Sequence, residues 1–252
     1  NGTTNYILTK MNEEGWSFEE ALKRAQELGY AERNPEADVE GYDTCRKIAI
    51  LTAVATGKEV DYEKIPTEGI TKITGLDSSY AACMGAAIKL FGTSINRDGK
   101  VYLEVAPVLV DAKDPLYAVT DVFNGIKVVG NMLGTSMFYG SGAGKLPTAS
   151  AVVADVVDCA KNKGRNIMMS WSEEKLDLLQ IDDVKSRFFV RVSGHAAERQ
   201  AEIEELFGKV EIVAVPSLSE EFAFITGEIT EQEYREKAEK LDGIQSRIRA
   251  RI

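Results

Sequence analysis

At 252 residues and 44% hydrophobic content, the chain suits one large domain with a smaller companion, and no apolar run approaches the length of a membrane span. A formal net charge of −10, with no Lys/Arg stripe interleaved with aromatics, argues against nucleic acid as a partner. Cys45, Cys83 and Cys159 are odd in number and far apart in apolar-periodic segments, which fits buried reduced thiols in a cytoplasmic protein better than disulfides or a metal site.

The first residue is Asn1 and no basic leader precedes an apolar stretch, so an internal start is expected, and the Asn1-Gly2-Thr3 glycosylation pattern reads as accidental. Ser17 and Glu20 form a capping-box pair, and Phe18, Ala21, Leu22, Ala25 and Leu28 recur at helical spacing, predicting a helix over 17–28 that Gly29 closes. Glu32 to Pro35 reads as a turn. A second helix is predicted from Asp38 or Gly41 to Thr56, its nearly all-apolar C-terminal half buried. Residues 69–75 alternate like a short strand and 79–91 read as a helix. Asp98-Gly99 supplies a hairpin turn before a long strand over 101–110, and 125–130 is another strand. An apolar helix over 148–162 follows the cluster Gly140-Ser141-Gly142-Ala143-Gly144, and periodicity is lost from 163 to 185. From Arg187 the predicted order is strand, helix, two strands, helix and strand. The fold class is therefore α+β: a mixed sheet covered by helices, followed by a small βαββαβ ferredoxin-like unit.

Polar chemistry concentrates between Gly29 and Lys47. Asp43 and Lys47 share a helix face at i,i+4, which is either an exposed ion pair or a site. Two features favour a site. Lys47 opens the run Ile48–Val54, so its stem is expected near buried surface, where desolvation suits an ammonium to proton transfer. The acidic residues that precede it concentrate negative charge in a way that suits a bound cation, such as the ammonium of an amino acid. The glycine cluster is either a tight turn or an anion cradle; it fits neither a phosphate-binding P-loop nor a dinucleotide fingerprint. His195, the one histidine, lies far along the chain from the acidic cluster. No zinc-site spacing and no Ser-His-Asp set is present.

Three blocks resemble homoserine dehydrogenase: Asn1-Gly2-Thr3-Thr4-Asn5-Tyr6-Ile7, the segment from Leu28 to Lys47, and Tyr139 to Gly144 with Thr148 to Asp155. The resemblance spans about the first 157 residues. It implies reduction of aspartate semialdehyde to homoserine with NADP or NAD as cofactor. Lys47 is implied as the proton donor with Asp43 beside it, Glu32 and Asp43 as substrate ligands, and Gly2, Thr3 and Tyr30 as lining. Gly29, Gly142 and Gly144 are implied near the cofactor, no metal is required, and subunit pairing through the strand 101–110 and the segment 122–138 makes a homo-oligomer. In the family a dinucleotide-binding domain precedes the Asn-Gly-Thr block, so these 252 residues alone are expected to be inactive. The competing reading is a non-enzymatic amino-acid-binding regulatory protein.

The division expected is 1–157 for catalysis and dimerisation, 158–185 as linker, and 186–252 as a unit that resembles an ACT module. Ser193-Gly194-His195-Ala196 stands where such modules usually carry Asp-x-Pro-Gly. The unit is therefore expected to serve assembly more than threonine sensing.

Overall fold

Local signals set most of the helices. The computed structural model describes residues 1–97, 99–142, 144–165, 172–216 and 218–252. In chain order, α1 (Gly2–Glu14) begins at Asn1, whose side-chain oxygen accepts from the Thr4 N–H, and stops at Gly15 with φ +71°. The predicted capping box is present: Ser17 and Glu20 satisfy each other's backbone N–H groups at the start of α2 (Phe18–Glu27). The short α3 (Glu36–Val39) and the longer α4 (Tyr42–Thr56) are separated by Gly41 at φ +83°, and Gly57 ends α4 in the left-handed region. Next come β1 (Lys58–Glu59), α5 (Gly75–Cys83) with a second capping box at Thr74 and Asp77, β2 (Ala86–Arg97) and β3 (Lys100–Asp111).

Four expectations fail in this region, each for a non-local reason. Residues 69–75 form no strand. Ile70 and Ile73 are buried plugs in a turn closed by the Ile73 N–H on the Ile70 carbonyl. The helix expected over 79–91 ends at Cys83, and 86–97 is strand, because β2 pairs residue for residue with β3 from Ala86↔Asp111 to Arg97↔Lys100. An apolar run cannot by itself choose between the two states. The apolar half of α4 is not buried: Ala49 and Thr52 face inward, whereas Ile50, Leu51 and Val54 are exposed. Conversely β3, read as surplus apolar surface, is buried from Val101 to Val110 within this chain. The hairpin turn between β2 and β3 agrees with the Arg97↔Lys100 register, although Asp98 lies outside the described residues.

The chain continues with β4 (Phe123–Gly130), β5 (Gly134–Ser141), α6 (Lys145–Lys161) and β6 (Ser172–Lys175). Strands β4 and β5 form a hairpin of their own, and β6 pairs with β1, so the stretch read as an aperiodic linker carries a strand; residues 166–171 lie outside the described residues. Then follow β7 (Lys185–Ser193), α7 (Ala196–Phe207), β8 (Glu211–Val213), β9 (Glu221–Ile225), β10 (Ile229–Thr230), α8 (Glu231–Ala238) and β11 (Ile244–Arg251). The predicted βαββαβ order holds, with β10 added beside β7.

The sheet path runs β2-β3-β11-β7-β9-β8. In its last four strands each runs antiparallel to its neighbour in the ferredoxin-like order, whereas β11 joins β3 in parallel and so welds the C-terminal unit to the first sheet. Strand alternation explains the two-sided burial. From β7, Phe188, Val190 and Val192 face α7 and α8, meeting Ile203, Phe207 and Tyr234. Phe189, with Ile225 of β9 and Ile248 of β11, faces Ile7, Met11 and Tyr80 of α1 and α5. Of the cysteines Cys45 is buried, but Cys83 and Cys159 are exposed thiols, contrary to the expectation for all three.

Candidate active site

The start of α1 gathers the acidic residues. Asn1 uses its side-chain oxygen to cap α1, and its amide donates to Asp38 Oδ1 at 2.7 Å and to Asp43 Oδ2 at 2.6 Å. One amide nitrogen carries two N–H groups, so a single side chain can hold both carboxylates. Asp43 lies in the first turn of α4, where the helix dipole favours negative charge, and its Oδ2 also meets Lys47 Nζ at 2.7 Å. Burial pushes the Asp43 carboxyl up, but hydrogen bonds from Lys47 and Asn1 outweigh it and hold the group below its ordinary range. It is therefore ionised at neutral pH.

Lys47 itself corrects an expectation. Its side chain is 60% exposed, because the ammonium faces the open side of α4 and not the core. Its contact is with Asp43 and solvent, and it is not desolvated within this chain. Gly2 and Thr3 occupy the first turn of α1, and Thr3 Oγ1 donates to the Tyr30 carbonyl at 2.6 Å, with the Tyr30 ring 5.2 Å from that of Tyr6. Gly2, Thr3 and Tyr30 therefore stand beside Asn1, whereas Glu32 is exposed and its carboxylate makes no ion pair among the described residues. Asn1 and Asp38 are the members that sequence reasoning passed over; the signal was an N-cap asparagine opening the first block.

On its other side Asn1 lines a small cleft with Thr4, Asn5, Lys89, Phe91, Phe123 and Asn124 among its walls. Lys89 is buried and donates to the Val119 carbonyl at 2.5 Å, with no carboxylate partner among the described residues. Burial draws its pKa down to about 8. Asn124 connects the cleft to the glycine turn, since a Cβ on Gly142 would stand 2.1 Å from Asn124 Nδ2. Gly144 holds φ +109° and precedes α6, and among the described residues no side chain caps the first turn of this 17-residue helix; Ala143 lies outside the described residues. A glycine turn packed against the Asn124 amide at Gly142, leading into a helix start without a side-chain cap, fits the close approach of a phosphate-bearing cofactor. Gly29, at φ +74° after α2, is open, and a Cβ there would meet nothing within 4 Å. Among the described residues no group of three His, Cys, Asp or Glu is placed to hold a metal ion, and no helix is long and apolar enough to cross a membrane.

Residues 1–157 match the family model described as homoserine dehydrogenase. A homoserine dehydrogenase of Bacillus subtilis is 46% identical over 162 residues, covering 64% of this chain and 37% of the relative. The crystal structure of a homoserine dehydrogenase from Thiobacillus denitrificans superposes with a TM-score of 0.86 at 32% identity, covering all of this chain and 62% of that one. A hyperthermophilic archaeal homoserine dehydrogenase mutant in complex with NADPH aligns at 30% identity with a TM-score of 0.51, over 67% of this chain and 47% of that one. The chain thus spans well under half the length of its Bacillus subtilis relative.

Proposed function

Because the chain belongs to the homoserine dehydrogenase family, with residues 1–157 matched, we propose that the full-length protein interconverts aspartate semialdehyde and homoserine with a nicotinamide cofactor. The observation that carries this reading is Lys47 ion-paired to Asp43 beside the Asn1-capped start of α1, all within the matched region. Lys47 gives its proton to the carbonyl oxygen during reduction, and Asp43 orients it. Asp43, Asp38 and Glu32 hold the substrate ammonium, while Gly2, Thr3 and Tyr30 wall the pocket. The glycine turn at Gly142 and Gly144, with Gly29, receives the cofactor, which when bound supplies the hydride. NADP is favoured by the archaeal relative's complex with NADPH. The test is homoserine-dependent reduction of NADP and NAD followed by absorbance. Turnover with homoserine is expected, and its absence with both cofactors would overturn the assignment.

The units of this protein are 1–157 for catalysis and pairing, 158–185 as connection, and 186–252 as an ACT-like assembly unit. Supporting the last, Arg199 already donates to the Ser193 and Asp242 carbonyls at the turn where such modules receive ligand, and among the described residues β8 is an edge strand paired with β9 alone. A homodimer forms through the β4–β5 hairpin. A two-stranded sheet is marginal alone, and this one exposes Val129, Leu133 and Phe138 at 70%, 81% and 67%. Sedimentation at micromolar concentration should give twice the subunit mass; a monomer would contradict it. Exposed free thiols at Cys83 and Cys159 suit the reducing cytoplasm.

A further inference from the structure

The last strand of the C-terminal unit grips the segment that supports the acidic loop. Arg247 Nη2 and Arg249 Nη1 both donate to Glu68 Oε1, at 2.8 and 3.1 Å. The same two guanidinium groups hold Glu231 of α8 at 2.5 and 2.9 Å, so Glu68 shares its partners with a residue of the C-terminal unit. Burial pushes the Glu68 carboxyl up, but Arg249 and Arg247 outweigh it and keep it ionised.

Glu68 is in turn tied to the sheet, its N–H donating to the Val105 carbonyl at 2.8 Å. The residues after it are wedged against the acidic loop. Ile70 N–H donates to the Val39 carbonyl at 2.7 Å, and a Cβ on Gly69 would stand 2.2 Å from that oxygen and 2.5 Å from Glu40 Cα. On the opposite side, a Cβ on Gly41 would lie 3.1 Å from Val105 and 3.2 Å from Thr67. Backbone 39–41 is therefore clamped between residues 67–70 and β3. Asp38 precedes that stretch by one residue, and Asp43 follows it by two.

We propose that the grip of Arg247 and Arg249 on Glu68 positions Asp38 and Asp43, so that the C-terminal unit sets the affinity of the acidic site for its ammonium-bearing substrate. Glu68, Arg247 and Arg249 are positioning residues that touch no substrate. They act through the Gly69–Ile70 backbone, which has no slack against Val39 and Glu40. The kinetic part of this inference rests on the function proposed above; the structural part does not.

Two readouts separate the parts. In the full-length enzyme, Glu68→Gln is expected to raise KM for homoserine about tenfold, a coupling of ordinary allosteric size, with kcat and the cofactor KM within about threefold. In the 252-residue chain, hydrogen exchange at the Gly41 and Ile70 amides should quicken while that of α7 stays unchanged. Gly69→Ala pushes the loop from the other side without touching the ionic groups and should reproduce both effects. Selective exchange in a protein that does not turn over homoserine keeps the grip and removes the reading of the site. Unchanged exchange at Gly41 and Ile70 overturns the proposal. So does a uniform rise that includes α7, or a fall in kcat that matches the loss in kcat/KM.

Discussion

Lys47→Ala in the full-length protein is expected to lower kcat for homoserine by about 10²–10⁴-fold, the usual worth of a positioned general acid or base. Lys47 is the cation in contact with Asp43, and Asp43 is held ionised by Lys47 and Asn1. In the proposed role, removing the side-chain amine removes the group that takes up the hydroxyl proton when homoserine is oxidised and returns it in reduction, and it leaves the Asp43 carboxylate without its partner. Lys47→Arg should rescue little: a guanidinium keeps the charge but stays protonated near neutral pH and so neither accepts nor releases the proton. This separates proton transfer from electrostatic binding, since a purely electrostatic role would be restored by arginine. Steady-state rates for the two variants decide the matter, and a kcat within a few fold of the parent for Lys47→Ala would remove Lys47 from the mechanism.

Arg249→Met should cost about 3–5 kcal/mol of folding stability, the typical loss when one partner leaves a buried ionic cluster. Arg249 is 4% exposed and contacts Glu104 and Glu231, themselves 2% and 6% exposed. The approach of Arg249 Nε to Glu104 Oε1 is close, at 2.5 Å, yet it is not aligned as a hydrogen bond, so charge more than directed bonding joins the two. Glu104 Oε2 accepts from the Tyr102 hydroxyl at 2.6 Å. Burial already pushes the Glu104 carboxyl up, against the pull of Arg249. In the variant that pull is gone, and the folded-state value should rise further.

A carboxyl raised in the folded state destabilises the protein above that value, and the penalty is relieved as pH falls toward the ordinary carboxylate range. The gap between Arg249→Met and the parent should therefore narrow from pH 7 to pH 5. Urea denaturation at both values measures it. A loss below about 1 kcal/mol, the size of an exposed ion pair, or a gap that widens on acidification, would refute this account of the cluster.

How much was legible in the sequence follows the range of the interactions involved. Signals closed within one turn of chain were readable. Ser17 and Glu20 cap α2, Gly41 and Gly57 bound α4, and the strand and helix order after Arg187 follows periodicity. The Asp43–Lys47 pair was readable for the same reason, since i,i+4 neighbours meet whatever surrounds the helix. The three blocks of family resemblance also pointed to the region in which the acidic residues gather.

Tertiary structure decided what depends on distant partners. Residues 86–91 became strand because β3 offered its hydrogen bonds, and an apolar run satisfies a buried strand and a buried helix equally. The apolar half of α4 and Lys47 lie more open than their composition indicates, because burial depends on what packs against a face and not on the face itself. Asn1 joins Asp38 to Asp43 across 37 and 42 positions of sequence, and Glu68 meets Arg247 and Arg249 across 179 and 181. Nor does any local pattern announce that β11 pairs with β3, since each strand carries only its own alternation and the choice of neighbour is made by the packed sheet.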